Sequence, residues 1–147
     1  MRLSKAARHA LLAAAEMARS KHDGLVTVTQ VARRHEIPEA ALAKVLQRLV
    51  RSGLAVGVRG VHGGYRLARR PSEITILDVL DVFESSALHV AATGGTRPDR
   101  DAAPATDRVG MLFDSIDEQR RSTLSSVTLD KLTEEENSPS LPLRPDS

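Results

Sequence analysis

The stretch from Pro38 to Arg70, PEAALAKVLQRLVRSGLAVGVRGVHGGYRLARR, constrains this chain more than any other. Leu42, Val45, Leu46, Leu49 and Val50 fall at i, i+3, i+4, i+7 and i+8, which predicts a helix from about Pro38 to Ser52 with one core-facing stripe. Gly53 is placed to end it as a C′ glycine. Leu54–Val58 and Tyr65–Ala68 then read as two strands. Arg59, Gly60, Val61, His62, Gly63 and Gly64 join them, and Gly63-Gly64 are expected to supply positive φ. A one-faced helix followed by a short hairpin must pack on other elements to bury its apolar side.

The remaining face of that helix carries Ala40, Ala41, Lys44, Gln47, Arg48 and Arg51. Together with Arg59, Arg66, Arg69 and Arg70 on the hairpin, the segment holds seven cations and a single acid, Glu39. A helix leading into a basic hairpin is how a winged helix-turn-helix meets DNA. Ala40 and Ala41 allow close approach to a groove, and Lys44 and Gln47 reach base edges or phosphates beyond them. Arg59 at the hairpin tip suits a minor groove. Arg48, Arg51 and Arg66, with Arg2, Lys5 and Arg8 from the start of the chain, suit phosphates.

Charge is partitioned in agreement with that reading. Residues 1–72 carry fourteen Lys/Arg against four Asp/Glu, or +10. Residues 73–147 carry seven against fifteen, or −8, and the two together give the net +2. A polyanion-binding front and a back half with another task follow.

In chain order, Ser4 caps a first helix to about Arg19, with Ala7, Leu11, Ala14 and Ala18 at helical spacing. Val26–Val28 is expected as a third, edge strand of the hairpin sheet. Thr29 is expected to cap a second helix, Gln30 to His35, with Val31 and Ala32 inward and Arg33 and Arg34 outward. Thr75 and Asp78 resemble a capping box opening a fourth helix, Ile76 to Phe83. Asp78, Asp81 and Glu84 fall on its outer face. Residues 1–84 therefore form the winged domain, and 85–106, rich in Gly, Pro, Ala and Thr, a flexible loop. Asp107 is expected to cap a long amphipathic helix with Val109, Leu112, Phe113, Ile116, Thr123 and Leu124 on one stripe. With a last helical turn it makes a dimerisation segment over 107–136, since pairing with a second copy covers the stripe. Residues 137–147 read as a disordered tail.

Other functions are argued against by composition. Cys is absent, which removes disulfides and Cys-ligated metal. Tyr65, Phe83 and Phe113 are the only aromatics, too few for a base-stacking single-strand binder. His9, His22, His35, His62 and His89 show no metal-ligand spacing, although His9 and His35 are placed to approach each other where two helices pack. Gly60–Gly64 lacks the lysine and strand-to-helix setting of a phosphate loop, so an enzyme is not expected. No leader or membrane-spanning run is read, so a cytoplasmic location is expected.

The opening Met1-Arg2-Leu3 with Lys5 and Arg8, the stretch Leu46–Gly53, and Val58-Arg59-Gly60 followed by Gly63-Gly64-Tyr65-Arg66-Leu67-Ala68 resemble the Rrf2 family of bacterial regulators. The resemblance spans roughly Met1 to Leu132. It implies a mostly α fold with a small β wing, a winged helix-turn-helix plus a long C-terminal dimerisation helix. It also implies dimeric transcriptional regulation through a palindromic double-stranded operator, with Gly60, Gly63, Gly64 and Tyr65 shaping a wing whose Arg59 enters the minor groove. The chain departs from the family's iron–sulfur sensors. The loop matching their three cysteines, Ala91–Asp107, has none, and Arg8 stands where some use an acidic ligand. Ala43 matches the reading-helix position that tunes site choice in those sensors. The reading is a homodimeric DNA-binding regulator, a repressor without cofactor, whose effector is an unspecified small molecule or protein. The alternatives are a winged-helix protein-interaction module, or the same regulator with a His- or carboxylate-bound metal as signal.

Overall fold

The computed structural model describes residues 3–20, 24–93 and 104–137. Arg2, His22 and the tail from residue 138 lie outside the described residues. Helix α1 (Lys5–Arg19) begins at Ser4, whose hydroxyl accepts from the Ala7 amide at 3.1 Å. Its buried face is alanine-rich: Ala7, Ala10, Ala13, Ala14 and Ala15. Small side chains let neighbouring backbones close on it, and α1 becomes the post around which the domain is built.

Helix α2 (Val28–His35) starts two residues earlier than expected. Thr27, not Thr29, is its cap. The Thr27 hydroxyl accepts from the Gln30 backbone amide at 3.2 Å, and the Gln30 side-chain Oε1 accepts from the Thr27 backbone amide at 3.0 Å. The T-x-x-Q box outweighs the β-branched character of Val28, which is helical. Only Val26 joins the hairpin, as a two-bond bridge to Tyr65. The turn to α3 (Glu39–Arg51) uses Glu36 at φ 53° and the buried Ile37. Pro38 is the cap of α3 rather than its first helical residue. Gly53 takes φ 79° after it, as expected.

Strands β1 (Ala55–Val58) and β2 (Gly64–Leu67) pair antiparallel, with Ala55 opposite Leu67 and Val58 opposite Gly64. After a 3-10 turn at Pro71–Glu73, α4 runs Ile76–Thr93. The Thr75–Asp78 box opens it, with both bonds formed at 2.9 and 3.1 Å. It does not stop at Phe83, so the first part of the expected 85–106 loop is helical; residues 94–103 lie outside the described residues. Helix α5 (Pro104–Ser125) begins at proline, which suits a first helical position, and so Asp107 lies within it rather than capping it.

The core is aliphatic. Leu42, Leu46 and Leu49 of α3 meet Val31, Ile74, Val79, Leu80 and Leu129, all at most 2% exposed. Burying each such side chain contributes roughly 1.5–3 kcal/mol. Val50 departs from the expected stripe: it is 37% exposed. Helix α6 (Leu129–Asn137) packs onto the winged domain. Leu129 is fully buried, its amide bonds the Ile74 carbonyl at 2.9 Å, and Thr128 bridges Thr75. Helix α6, the last part of the 107–136 segment, packs on α1 and so closes the winged domain with residues far along the chain.

Candidate nucleic-acid interface

Helix α3 and the hairpin present one continuous basic surface. Lys44, Gln47 and Arg51 are exposed along α3, with Ala40 exposed and Ala41 and Ala43 half-buried at its start. Arg59, Gly60 and Arg66 are exposed on the hairpin, while Gly63, Gly64 and Tyr65 are half-buried. A groove of about 390 Å³ opens between helix and hairpin, walled by Gln47, Val50 and Arg51 on one side and Val58, Arg59 and Tyr65 on the other. Val50 lines this groove, which explains its exposure. Among the described residues no ion pair neutralises Lys44, Arg51 or Arg59.

The glycines of the wing are required for steric reasons that differ from those expected. Positive φ falls on Gly60, at 117°, and not on Gly63 or Gly64. Those two glycines are required by crowding. A Cβ on Gly63 would run into the Val58 carbonyl oxygen, and one on Gly64 would lie 2.7 Å from the Val26 carbonyl oxygen. The second crowding arises because Val26 and Tyr65 exchange bonds of 2.8 and 2.9 Å, which strap the hairpin to the body.

Lys5 and Arg8 are exposed at the start of α1. His9 beside Arg8 is half-buried, and burial, then the charges of Arg8 and Lys5, lower its pKa. Arg48 is placed differently from the rest. Its Nη2 donates to the Val82 carbonyl at 2.6 Å, and its guanidinium lies 4.4 Å from the Phe83 ring centroid. It is turned back onto α4.

The carboxylates of α4 are each occupied rather than merely solvated. Asp78 caps its own helix, Asp81 takes both nitrogens of Arg121 at 3.0 and 3.2 Å, and Glu84 accepts from the Ser4 amide at 2.9 Å. His35 meets Glu16, not His9. Glu16 was not singled out from the sequence; an acid inside an alanine stripe was the available signal for it. On α5, Val109, Leu112, Phe113 and Ile116 are all more than half exposed, whereas Leu124 packs against the core. Among the described residues no three His, Asp or Glu side chains gather as a metal site, and no helix is long and apolar enough to cross a membrane.

The model of the Rrf2 family, described as an iron-dependent transcriptional regulator, matches residues 3–135. The chain belongs to the Rrf2 family. The Rhodopseudomonas palustris protein BadM is 36% identical over 132 residues, covering 90% of this chain and 81% of its own. The helix-turn-helix transcriptional regulator IscR of Cereibacter sphaeroides is 33% identical over 115 residues, 74% of each. The structure of CymR, the global cysteine regulator of B. subtilis, superposes with a TM-score of 0.73 at 25% identity, over 92% of this chain and 98% of that one. This Rrf2 protein is thus a helix-turn-helix transcriptional regulator with a two-stranded wing, of a family that binds DNA, and not an enzyme. The iron named in the family description finds no cysteine donor anywhere in this sequence. The donor set does not fit a Cys-ligated cluster.

Proposed function

We propose that this Rrf2 regulator acts as a homodimer on a palindromic operator, as a repressor, and without a Cys-ligated iron–sulfur cluster. One observation carries the reading of the interface. The uncompensated Lys44 and Arg51 of α3 and Arg59 of the wing flank a single groove. With α3 in the major groove and the wing in the adjacent minor groove, the backbone strand between them runs along that groove. Val50, Val58 and the Tyr65 ring then offer an apolar floor to deoxyribose, and Arg51 and Arg59 hold its phosphates. Lys44 and Gln47 read base edges, Ala40 and Ala41 permit the approach, and Lys5, Arg8 and Arg66 add phosphate contacts.

The dimer reading is supported by Val109, Leu112, Phe113 and Ile116, an exposed apolar stripe at helical spacing on α5. Solvated stripes of this kind are costly, and a two-fold partner covers them with the same residues. A DNA-bound dimer acts most simply by occupying sequence that the polymerase needs, hence repression. Selection of bound sequences from random duplex DNA tests the proposal. A palindromic motif with half-sites one or two turns apart is expected. Failure of any motif to emerge would favour a protein-interaction module instead.

A further inference from the structure

Three consecutive residues of α4 are gripped from two sides. Asp81 receives both nitrogens of Arg121 from α5, at 3.0 and 3.2 Å. Val82 offers its carbonyl to Arg48 of α3 at 2.6 Å, and Phe83 places its ring under the same guanidinium. The start of α4 is also tied to the short connection that follows α5, through the Ile76 amide and the Val127 carbonyl at 2.9 Å and the bridge between Thr75 and Thr128. One helical turn thus carries the attachment of the recognition helix and the attachment of α5.

We infer that Arg121 and Arg48 are positioning residues: their grips on Asp81 and on Val82–Phe83 fix the angle between α5 and the recognition helix, and so set the half-site spacing the protein accepts. The inference rests on the homodimer reading above. The pair Arg121–Asp81 is about 40% exposed on each side, so its contribution to stability is small. Its two-pronged geometry fixes direction instead. The lever is long. Val109 stands twelve residues from Arg121, and a tilt of about 10° at the grip moves that end of α5 about 3 Å. That matches the ~3.4 Å rise of one base pair. Arg48, committed to α4, holds α3 at the required angle rather than contacting phosphate.

The test uses the full-length protein and synthetic duplexes carrying the selected half-site, singly or as a palindrome with the spacer varied one base pair at a time. The wild type is expected to favour one spacing by roughly tenfold or more over its neighbours. Arg121→Gln is expected to reduce that preference to roughly threefold or less while leaving single half-site affinity and sedimentation unchanged. The exchange of charges, Asp81→Arg with Arg121→Asp, is expected to restore it. Arg48→Gln is expected to weaken half-site binding with an unchanged slope of log K against log salt, whereas loss of a phosphate contact lowers that slope by about one. A sharp spacing optimum retained by Arg121→Gln overturns the inference alone, as does a half-site loss equal to the palindrome loss. If the wild type shows no spacing optimum at all, the homodimer reading fails and the inference with it.

Discussion

Nε2 of His35 stands 2.9 Å from Oε1 of Glu16, joining the last turn of α2 to the last turn of α1. Glu16 is the one charged residue among the buried ones described, and Arg19 at 2.7 Å and Arg34 at 3.2 Å complete its surroundings. The cations at the end of α2 also suit the negative end of that helix. Glu16 therefore orients the helix that precedes the recognition helix.

Glu16→Ala should lower stability by about 2 kcal/mol, because it removes the buried carboxylate that holds the half-buried His35 ring. Glu16→Gln should cost less, since the amide oxygen still accepts hydrogen bonds. Urea denaturation of the two variants beside the wild type measures both.

Gly63→Ala and Gly64→Ala should abolish specific DNA binding while far-UV circular dichroism keeps the helical signal. Both substitutions drive a Cβ onto backbone oxygen that cannot move without opening the wing or its Val26 strap. Gly57→Ala is the control: its Cβ would meet the Tyr65 ring at an ordinary 3.5 Å. Equal loss from all three variants would mean the wing is not held as argued.

Arg59→Ala should weaken binding to the selected operator by roughly 1–3 kcal/mol and reduce the salt slope by about one. Electrophoretic mobility shifts at several salt concentrations read both quantities. A change within error would leave the wing tip without a role in binding.

On the homodimer proposed above, Phe113→Asp should give a monomer in sedimentation velocity, because it would set like charges facing each other across the proposed two-fold apolar contact. Binding to the palindrome should fall far more than binding to a single half-site. An unchanged sedimentation coefficient would remove α5 from the interface.

Stability should decline as pH falls below about 6.5, the ordinary histidine value, partly through His9. Its folded-state pKa is lowered by burial and by Arg8 and Lys5. The unfolded chain therefore takes up the proton first, so stability is retained above that value and lost on acidification. His9→Gln should flatten the dependence in thermal melts between pH 5 and 7.

The identity of α3, the wing, the first helix and the Thr75–Asp78 cap was legible in the sequence because each is governed by local spacing. An apolar stripe at i, i+3 and i+4, a glycine after a helix or a capping box acts within one or two turns of chain. The cationic character of one face was legible for the same reason, since it needs only a helical projection. Where a particular arginine points is not local. Arg48 and Lys44 occupy the same outward sector of α3, yet Arg48 is drawn onto Val82 and Phe83, thirty-four residues away in the case of Val82. Glu16 found its partners in α2, Leu129 crossed back into the core beside Ile74, and Gly64 is needed because Val26 arrives against it. Periodicity thus determined which faces are apolar and which are basic. Only the packing of helices distant in sequence decided which charged groups stay exposed and which, like Arg48, are bound to a neighbouring helix, because that choice depends on neighbours that local spacing does not specify.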